Sequence, residues 1–230
     1  MDNPNLQPLI EAARLLIPLL DELVFVGGCV TGLLITDEAG AGVRPTFDVD
    51  VITEITSYVE YASLSERLRK LGFTEDTSEG APICRWLNAE TKLDVMPLDE
   101  KILGFSNPWY GPAIAASEAY ELEKDFFIRV VTAPYFCATK IVAFKHRGHG
   151  DYLSSHDLED VITVVDGRPE LLSELQSAPD DVRSYIARAI RELLDTARFI
   201  DALPGYLLSD PASQGRIGRL LTRLSQISKL

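Results

Sequence analysis

The chain has 230 residues, of which 46% are hydrophobic, so it can bury the core of one large domain or of two small ones. Its formal net charge of −13 argues against a broad electrostatic grip on nucleic acid or on an anionic membrane, although it leaves room for a local basic pocket. The apolar stretches are far shorter than the roughly 20 residues that span a bilayer, and no basic region precedes an apolar one at the N-terminus. We therefore expect a cytoplasmic protein that has no signal peptide and no membrane partner.

The three cysteines, Cys29, Cys84 and Cys137, are far apart in the sequence, and each lies among apolar residues. No pair of them has the spacing of a zinc site. Cysteines in such a context are typical of buried, reduced thiols, which fits a reducing compartment.

The first half of the chain mixes short strand-like runs with helical patterns. Helical periodicity predicts a helix over 5–22, and the apolar run 23–28 ends in two glycines, which indicates a buried strand and then a tight turn. A helix could begin from that turn at 29–35, and a loop is predicted over 36–45. The remaining predicted elements of this half are a helix over 58–73 and strands over 46–55, 83–89, 92–98 and 126–133.

From Pro134 onward the patterns are helical. Ser155 precedes acidic residues in a first turn, as expected of a helix N-cap. The predicted helices span 134–148, 154–167, 179–203 and 210–228. The sequence thus predicts a mixed α/β (α+β) protein, with a small mixed sheet in a domain over 1–133 and a mostly helical domain over 134–230.

The stretch FDVDV at 47–51 sets two aspartates into an apolar strand. Alternation along a strand puts Asp48 and Asp50 on one face, where two carboxylates repel each other unless a cation intervenes. Mg²⁺ is the natural partner, because it prefers carboxylate oxygens together with substrate phosphates. Asp94 lies in a second apolar strand, and all three carboxylates converge if that strand pairs beside 46–55.

Gly27 and Gly28 follow a predicted strand and precede a predicted helix. Backbone N–H groups in such a turn favour an anion such as a phosphate. A phosphate-binding turn, a carboxylate pair and a third carboxylate are the parts that two-metal phosphoryl or nucleotidyl transfer requires. The sequence therefore predicts a site that binds Mg²⁺ (or Mn²⁺) through Asp48, Asp50 and Asp94, with phosphate held at Gly27 and Gly28.

The combined pattern VGGCVTGLL, RPTFDVDVI and KLDVMPL resembles the DNA polymerase beta-type nucleotidyltransferase superfamily. Its R-x-T-x-D-x-D element, from Arg44 to Asp50, and the later stretch ATKIVAFKHRGHGDYLSSHDLEDVI at 138–162 are similar to the AbiEii/AbiGii-type nucleotidyltransferase toxins. The resemblance covers roughly residues 23–167. It implies that 1–133 is a nucleotidyltransferase-like catalytic domain and that the helical domain adds residues to the same site.

By position, the resemblance implies that Lys140 contacts the phosphates of a nucleoside triphosphate (NTP). It also implies that Asp157 is a further catalytic acid, although Asp160 fits the same spacing. The implied acceptor is an RNA end such as the 3′ end of tRNA, and an antitoxin protein is an implied partner. The last predicted helix is basic, which suits either contact with RNA or surface charge on a packed helix.

Two other functions fit the same residues. The acceptor of the nucleotide could be a small molecule or a protein side chain, and an acidic surface suits a cationic small acceptor. Alternatively, the chain could be a catalytically degenerate module that binds a nucleotide or a partner. Cys29 favours this last reading, since it lies where the superfamily often has serine or threonine beside the glycines.

Overall fold

The computed structural model describes residues 3–37, 42–89, 91–148 and 150–230. This part of the chain divides into two compact units. The sheet unit comprises Pro4–Val30 and Pro45–Thr132, and the helical unit comprises Met1–Asn3, Thr31–Arg44 and Ala133–Leu230. None of the helices in the described ranges is long and apolar enough to cross a membrane.

A seven-stranded mixed sheet forms the centre of the sheet unit. Its strands are β1 (Val24–Val26), β2 (Asp48–Thr53), β3 (Thr74–Glu75), β4 (Arg85–Asn88), β5 (Thr91–Pro97), β6 (Glu118–Glu123) and β7 (Phe126–Val130). Their spatial order is β3-β4-β5-β2-β1-β7-β6. The predicted mixed sheet is confirmed, and it includes the short β3 and the polar β6, whose composition had not indicated strands.

The middle of the sheet decides where the carboxylates lie. Strand β2 runs antiparallel to β1 and parallel to β5, and β1 runs parallel to β7. All three residues of β1 are buried, as its apolar sequence predicts. Because β2 and β5 are parallel neighbours, with Asp50 in register with Asp94, their acidic residues lie side by side.

The helices of the sheet unit are α1 (Leu6–Leu15), α2 (Tyr58–Lys70), α3 (Glu100–Leu103) and α4 (Tyr110–Ala115). The predicted helix 5–22 is wrong beyond residue 15, because the chain continues as a 3₁₀ helix over Ile17–Glu22, which includes Pro18. Proline cannot donate the backbone hydrogen bond that an α-helix interior needs. A capping box between Ser57 and Glu60 begins α2.

The helical unit contains α5 (Ala133–Arg147), α6 (His156–Gly167), α7 (Leu171–Ser177), α8 (Asp180–Leu194), α9 (Ala197–Ala202), α10 (Pro211–Gln214) and α11 (Ile217–Ile227). Helix α5 packs against α6, α7 and α8, and α11 packs against α6, α7 and α8. Ser155 caps α6 as predicted. The predicted helix 179–203 is interrupted between α8 and α9, and 210–228 is likewise divided into two helices.

Part of the predicted loop 36–45 belongs to the helical unit. The backbone N–H groups of Thr36 and Asp37 both donate to the Gly167 carbonyl, at 3.0 and 2.9 Å. Arg168 donates to the Leu34 carbonyl at 2.9 Å. These bonds fix the segment on the C-terminal end of α6, whereas residues 38–41 of the predicted loop lie outside the described residues.

The basic residues of α11 make contacts inside the helical unit. Arg216 donates two hydrogen bonds to the fully buried Asp166, and Arg219 forms a longer ion pair with the same carboxylate at 3.7 Å. Arg223 donates to the backbone carbonyls of Val165 and Asp166. A buried carboxylate is costly unless such donors surround it, so these arginines stabilise the packing of α11 on α6.

The thiols of Cys84 and Cys137 are expected to resist alkylation. All three cysteines are buried and none forms a disulfide, as predicted. Burial raises the pKa of Cys84 to about 12 and that of Cys137 to about 12, so almost no thiolate exists at pH 8. Iodoacetamide followed by peptide mass spectrometry should label both slowly in the native protein and quickly in urea. Rapid native labelling of either residue would contradict this packing.

Candidate active site

The glycine turn and the second aspartate of FDVDV are in direct contact. Gly27 follows β1 and has φ of +73°, a left-handed conformation that favours glycine. A Cβ atom added to Gly27 would lie 1.9 Å from Asp50 Oδ2. No side chain fits there, so glycine is required at this position both for the turn and for the close approach of the carboxylate.

Asn5 connects the glycine turn to the beginning of β2. Its amide nitrogen donates to the Gly28 carbonyl at 3.4 Å, and its Oδ1 accepts from the Thr46 backbone N–H at 2.8 Å. Thr46 in turn donates its hydroxyl to Asp48 Oδ1 at 2.7 Å. The side chain of Asn5 therefore helps to position Asp48, a role for which the sequence contained no motif.

Arg85 holds two of the three predicted metal ligands. Its Nε and one Nη donate to the two oxygens of Asp94 at 2.8 and 2.7 Å, and the same Nη donates to Asp48 Oδ2 at 2.9 Å. Hydrogen bonding to Asp94 raises the pKa of the Arg85 guanidinium above its ordinary value. The carboxylates of Asp48 and Asp94 thus share one nitrogen of the positively charged guanidinium.

The structure places the predicted residues Gly27, Gly28, Asp48, Asp50 and Asp94 together in the sheet unit. Within the described ranges, however, no three Asp, Glu, His or Cys side chains are arranged so that they could hold a metal ion. The donor chemistry still fits Mg²⁺, because Asp48 and Asp50 alternate along β2 and so lie on one face, with Asp94 in register beside Asp50. Asp48 and Asp50 would be the residues to hold it.

The segment after the glycine turn is shorter than an anion-binding helix. Instead of the α-helix that 29–35 suggested, Gly28–Leu33 forms a 3₁₀ helix. This turn therefore lacks the aligned peptide dipoles with which a long α-helix attracts an anion to its N-terminus. The thiol of Cys29 donates to the Val26 carbonyl at 3.0 Å, so it serves to close the turn. Any phosphate held at Gly27 and Gly28 would depend on the local backbone N–H groups.

Lys140 and both candidate acids lie together in the helical unit. Lys140 Nζ is 2.6 Å from Asp160 Oδ2 and 3.5 Å from Asp157 Oδ1. All three residues are buried. Arg147 donates two hydrogen bonds of 2.8 Å to Asp157, and Arg44 forms an ion pair with Glu159 at 3.4 Å. The sequence left Asp157 and Asp160 as alternatives for the catalytic acid. In the structure, both carboxylates contact Lys140.

Two of the cavities in the sheet unit are compared with the carboxylate site by their lining residues. The smaller, of about 140 Å³, includes Asp48, Thr46 and Cys29 in its lining, but it is too small for a nucleoside triphosphate. The larger, of about 480 Å³, is lined by residues such as Thr53, Arg67 and Arg129 and by none of the predicted site residues. The predicted site residues therefore do not line this larger cavity.

Comparisons with known proteins give little further assignment. No family profile and no curated protein matches the chain. A solved structure described as an antigenic nucleotidyltransferase-like protein from Paracoccidioides brasiliensis is similar, with 18% identity and a TM-score of 0.49. The match covers 83% of this chain and 89% of that one. A likeness of this strength assigns neither a family nor an activity.

Replacing Gly27 by alanine should unfold the protein more easily and displace Asp50. The left-handed φ costs about 1–2 kcal/mol for a residue with a Cβ, and the clash with Asp50 adds to that cost. Gly111→Ala is the matched control, because its Cβ would have only an ordinary contact at 3.9 Å and it lies in a helix. Urea unfolding should show a loss for Gly27→Ala alone, and equal stability of the two variants would contradict the described contact.

Asp157 should stabilise the protein above about pH 4 and lose that effect in acid. Burial raises the pKa of this carboxyl, but the hydrogen bonds from Arg147 and the charge of Lys140 outweigh it, so the pKa lies below its ordinary value. A lowered folded-state pKa means that stability is present above the unfolded pKa and is lost as pH falls through the folded one. We therefore measure the urea midpoint of unfolding from pH 7 to pH 3. Asp157→Asn should flatten the acid limb of this profile, so that the midpoint falls less with pH than in the wild-type protein. Asp180→Asn makes the same change at an acid that is 89% exposed and is the control; an equal flattening in both variants would contradict the role of Asp157.

Proposed function

We propose that the protein is a nucleotidyltransferase that transfers a nucleoside monophosphate from an NTP to an acceptor hydroxyl. The observation that supports this most is the set of three aspartates on the paired strands β2 and β5, with Asp50 lying directly against Gly27. Asp48 and Asp50 would hold Mg²⁺ or Mn²⁺. The bound ion would supply charge neutralisation for the triphosphate and acidify the attacking hydroxyl.

In the proposed reaction, the acceptor oxygen attacks the α-phosphorus, the bond between the α- and β-phosphates breaks, and pyrophosphate leaves. The hydroxyl proton must pass to a base, for which Asp94 and Asp157 are the proposed alternatives. Backbone N–H groups at Gly27 and Gly28 are proposed to bind phosphate. Lys140 and Asp157 are proposed, on the sequence resemblance, to contribute phosphate contact and a further acid from the helical unit.

The proposed acceptor is an RNA end, such as the 3′ end of tRNA, and the proposed setting is a toxin–antitoxin or phage-defence pair. The support for both is the R-x-T-x-D-x-D element together with the later stretch around Lys140. The charge of −13 disfavours broad RNA binding, so contact with RNA would be confined to a local basic surface. A small-molecule or protein acceptor is the alternative that the experiment separates.

The purified protein should transfer label from an α-³²P-labelled NTP to total tRNA in the presence of Mg²⁺, with each of the four NTPs tested separately. Asp50→Asn keeps the side-chain size at Gly27 but removes a metal-binding charge, so transfer should fall by about 100-fold or more. Asp125→Asn is the matched control: it makes the same change in an exposed turn of the same unit at φ of +61°, which asparagine tolerates.

Label in RNA that disappears with Asp50→Asn supports an RNA acceptor. If pyrophosphate is released only when small-molecule or protein acceptors are added, the acceptor is not RNA. The protein is then still a nucleotidyltransferase. The absence of both NTP turnover and any thermal shift with NTP and Mg²⁺ would overturn the proposed activity and leave a degenerate module that binds a partner.

A further inference from the structure

Arg85 bridges two of the three predicted metal ligands of the sheet unit, Asp48 and Asp94. It lies on β4 directly opposite Asp94 on β5, in an antiparallel pair. Its guanidinium makes two hydrogen bonds to Asp94 and one to Asp48. The guanidinium cancels one of the two negative charges of Asp48 and Asp94. A divalent ion therefore meets less negative charge here than it would at the two carboxylates alone.

The two ends of this bridge differ in strength. The contact with Asp94 is bidentate and largely buried, with 9% of the Asp94 side chain exposed. The contact with Asp48 is a single bond to a side chain that is 35% exposed and that also accepts from Thr46. Bidentate, desolvated arginine–carboxylate pairs are stronger than single exposed ones. Asp48 is therefore the partner that Arg85 loses more readily.

We propose that Arg85 is a resident counter-cation of the carboxylate site, which a divalent ion must displace from Asp48 while Arg85 remains on Asp94. This inference rests on the proposed function, because it takes Asp48 and Asp50 as the residues that hold the ion. Arg85 is then a positioning residue: it keeps Asp48 and Asp94 close together without metal and weakens the affinity for metal. Metal loading therefore requires the Arg85–Asp48 bond to break.

Metal binding to the full-length protein without nucleotide tests this directly. The electron paramagnetic resonance signal of free aqueous Mn²⁺ falls as the ion binds, so a titration gives the dissociation constant. Arg85→Gln removes the competing cation and should tighten Mn²⁺ binding by about tenfold or more. An arginine that only supported the fold would give the opposite result, because its loss would loosen the ligands and weaken binding.

Lys92→Gln is the matched control for charge alone. Lys92 is exposed and in register with Asp48, and its removal also takes one positive charge from the same strand pair. Because the exposed Lys92 ammonium is solvated, its interaction with a neighbouring charge is worth about 1 kcal/mol or less, so Lys92→Gln should tighten Mn²⁺ binding by less than about fivefold. An effect of Lys92→Gln as large as that of Arg85→Gln would overturn the proposal, as would unchanged or weaker binding by Arg85→Gln.

Arg85→Gln leaves the buried Asp94 without its charged partner, which lowers stability. Circular dichroism therefore accompanies each titration. If Arg85→Gln does not fold, Asp94→Asn is compared with the double variant Asp94→Asn/Arg85→Gln, which has no stranded charge at this pair. The double variant should bind Mn²⁺ more tightly than Asp94→Asn, again by about tenfold, and equal or weaker binding would overturn the proposal.

The metal titration and the transfer assay fail independently of each other. If Arg85→Gln tightens Mn²⁺ binding but the wild-type protein transfers no nucleotide, the proposed activity is wrong and the counter-cation remains. If the wild-type protein transfers nucleotide but Arg85→Gln binds Mn²⁺ no more tightly, only the role of Arg85 is wrong.

Discussion

The contact between Asp50 and Gly27 is the constraint on which the carboxylate site depends. Strand β1 is buried on all sides, and its register with β2 brings Val26 opposite Asp50. The carboxylate can lie against the chain only because Gly27 has no side chain. The position of Asp94 then follows from the parallel pairing of β5 with β2. The centre of the sheet therefore sets the relative positions of all three acids.

Much of this arrangement was predictable from local patterns. Alternation in FDVDV placed Asp48 and Asp50 on one face, and the apolar setting of Asp94 indicated a neighbouring strand. The position of Arg85 could also have been found. A short hairpin between 83–89 and 92–98 fixes a register that puts Arg85 opposite Asp94, because the turn length determines the pairing. Strands over 83–89 and 92–98 were predicted, but the register between them was not.

Other features depend on long-range packing and had no local signal. The bridge by Asn5 joins three segments that only the folded sheet unit brings together. The assignment of Thr31–Arg44 to the helical unit depends on bonds to Gly167 and Arg168, which no pattern in that loop indicated. Likewise, the inward contacts of Arg216 and Arg223 depend on the buried Asp166, whereas the sequence showed only a basic helix.

The neighbours of β1 have a consequence for the order in which the protein folds. Strand β1 emerges early during synthesis, but one of its two neighbours, β7, is made much later in the chain. Until β7 emerges, an apolar strand with an open edge is exposed to other chains. Because pairings between distant segments form slowly, the nascent protein should depend on chaperones or on low temperature for a good yield of folded material.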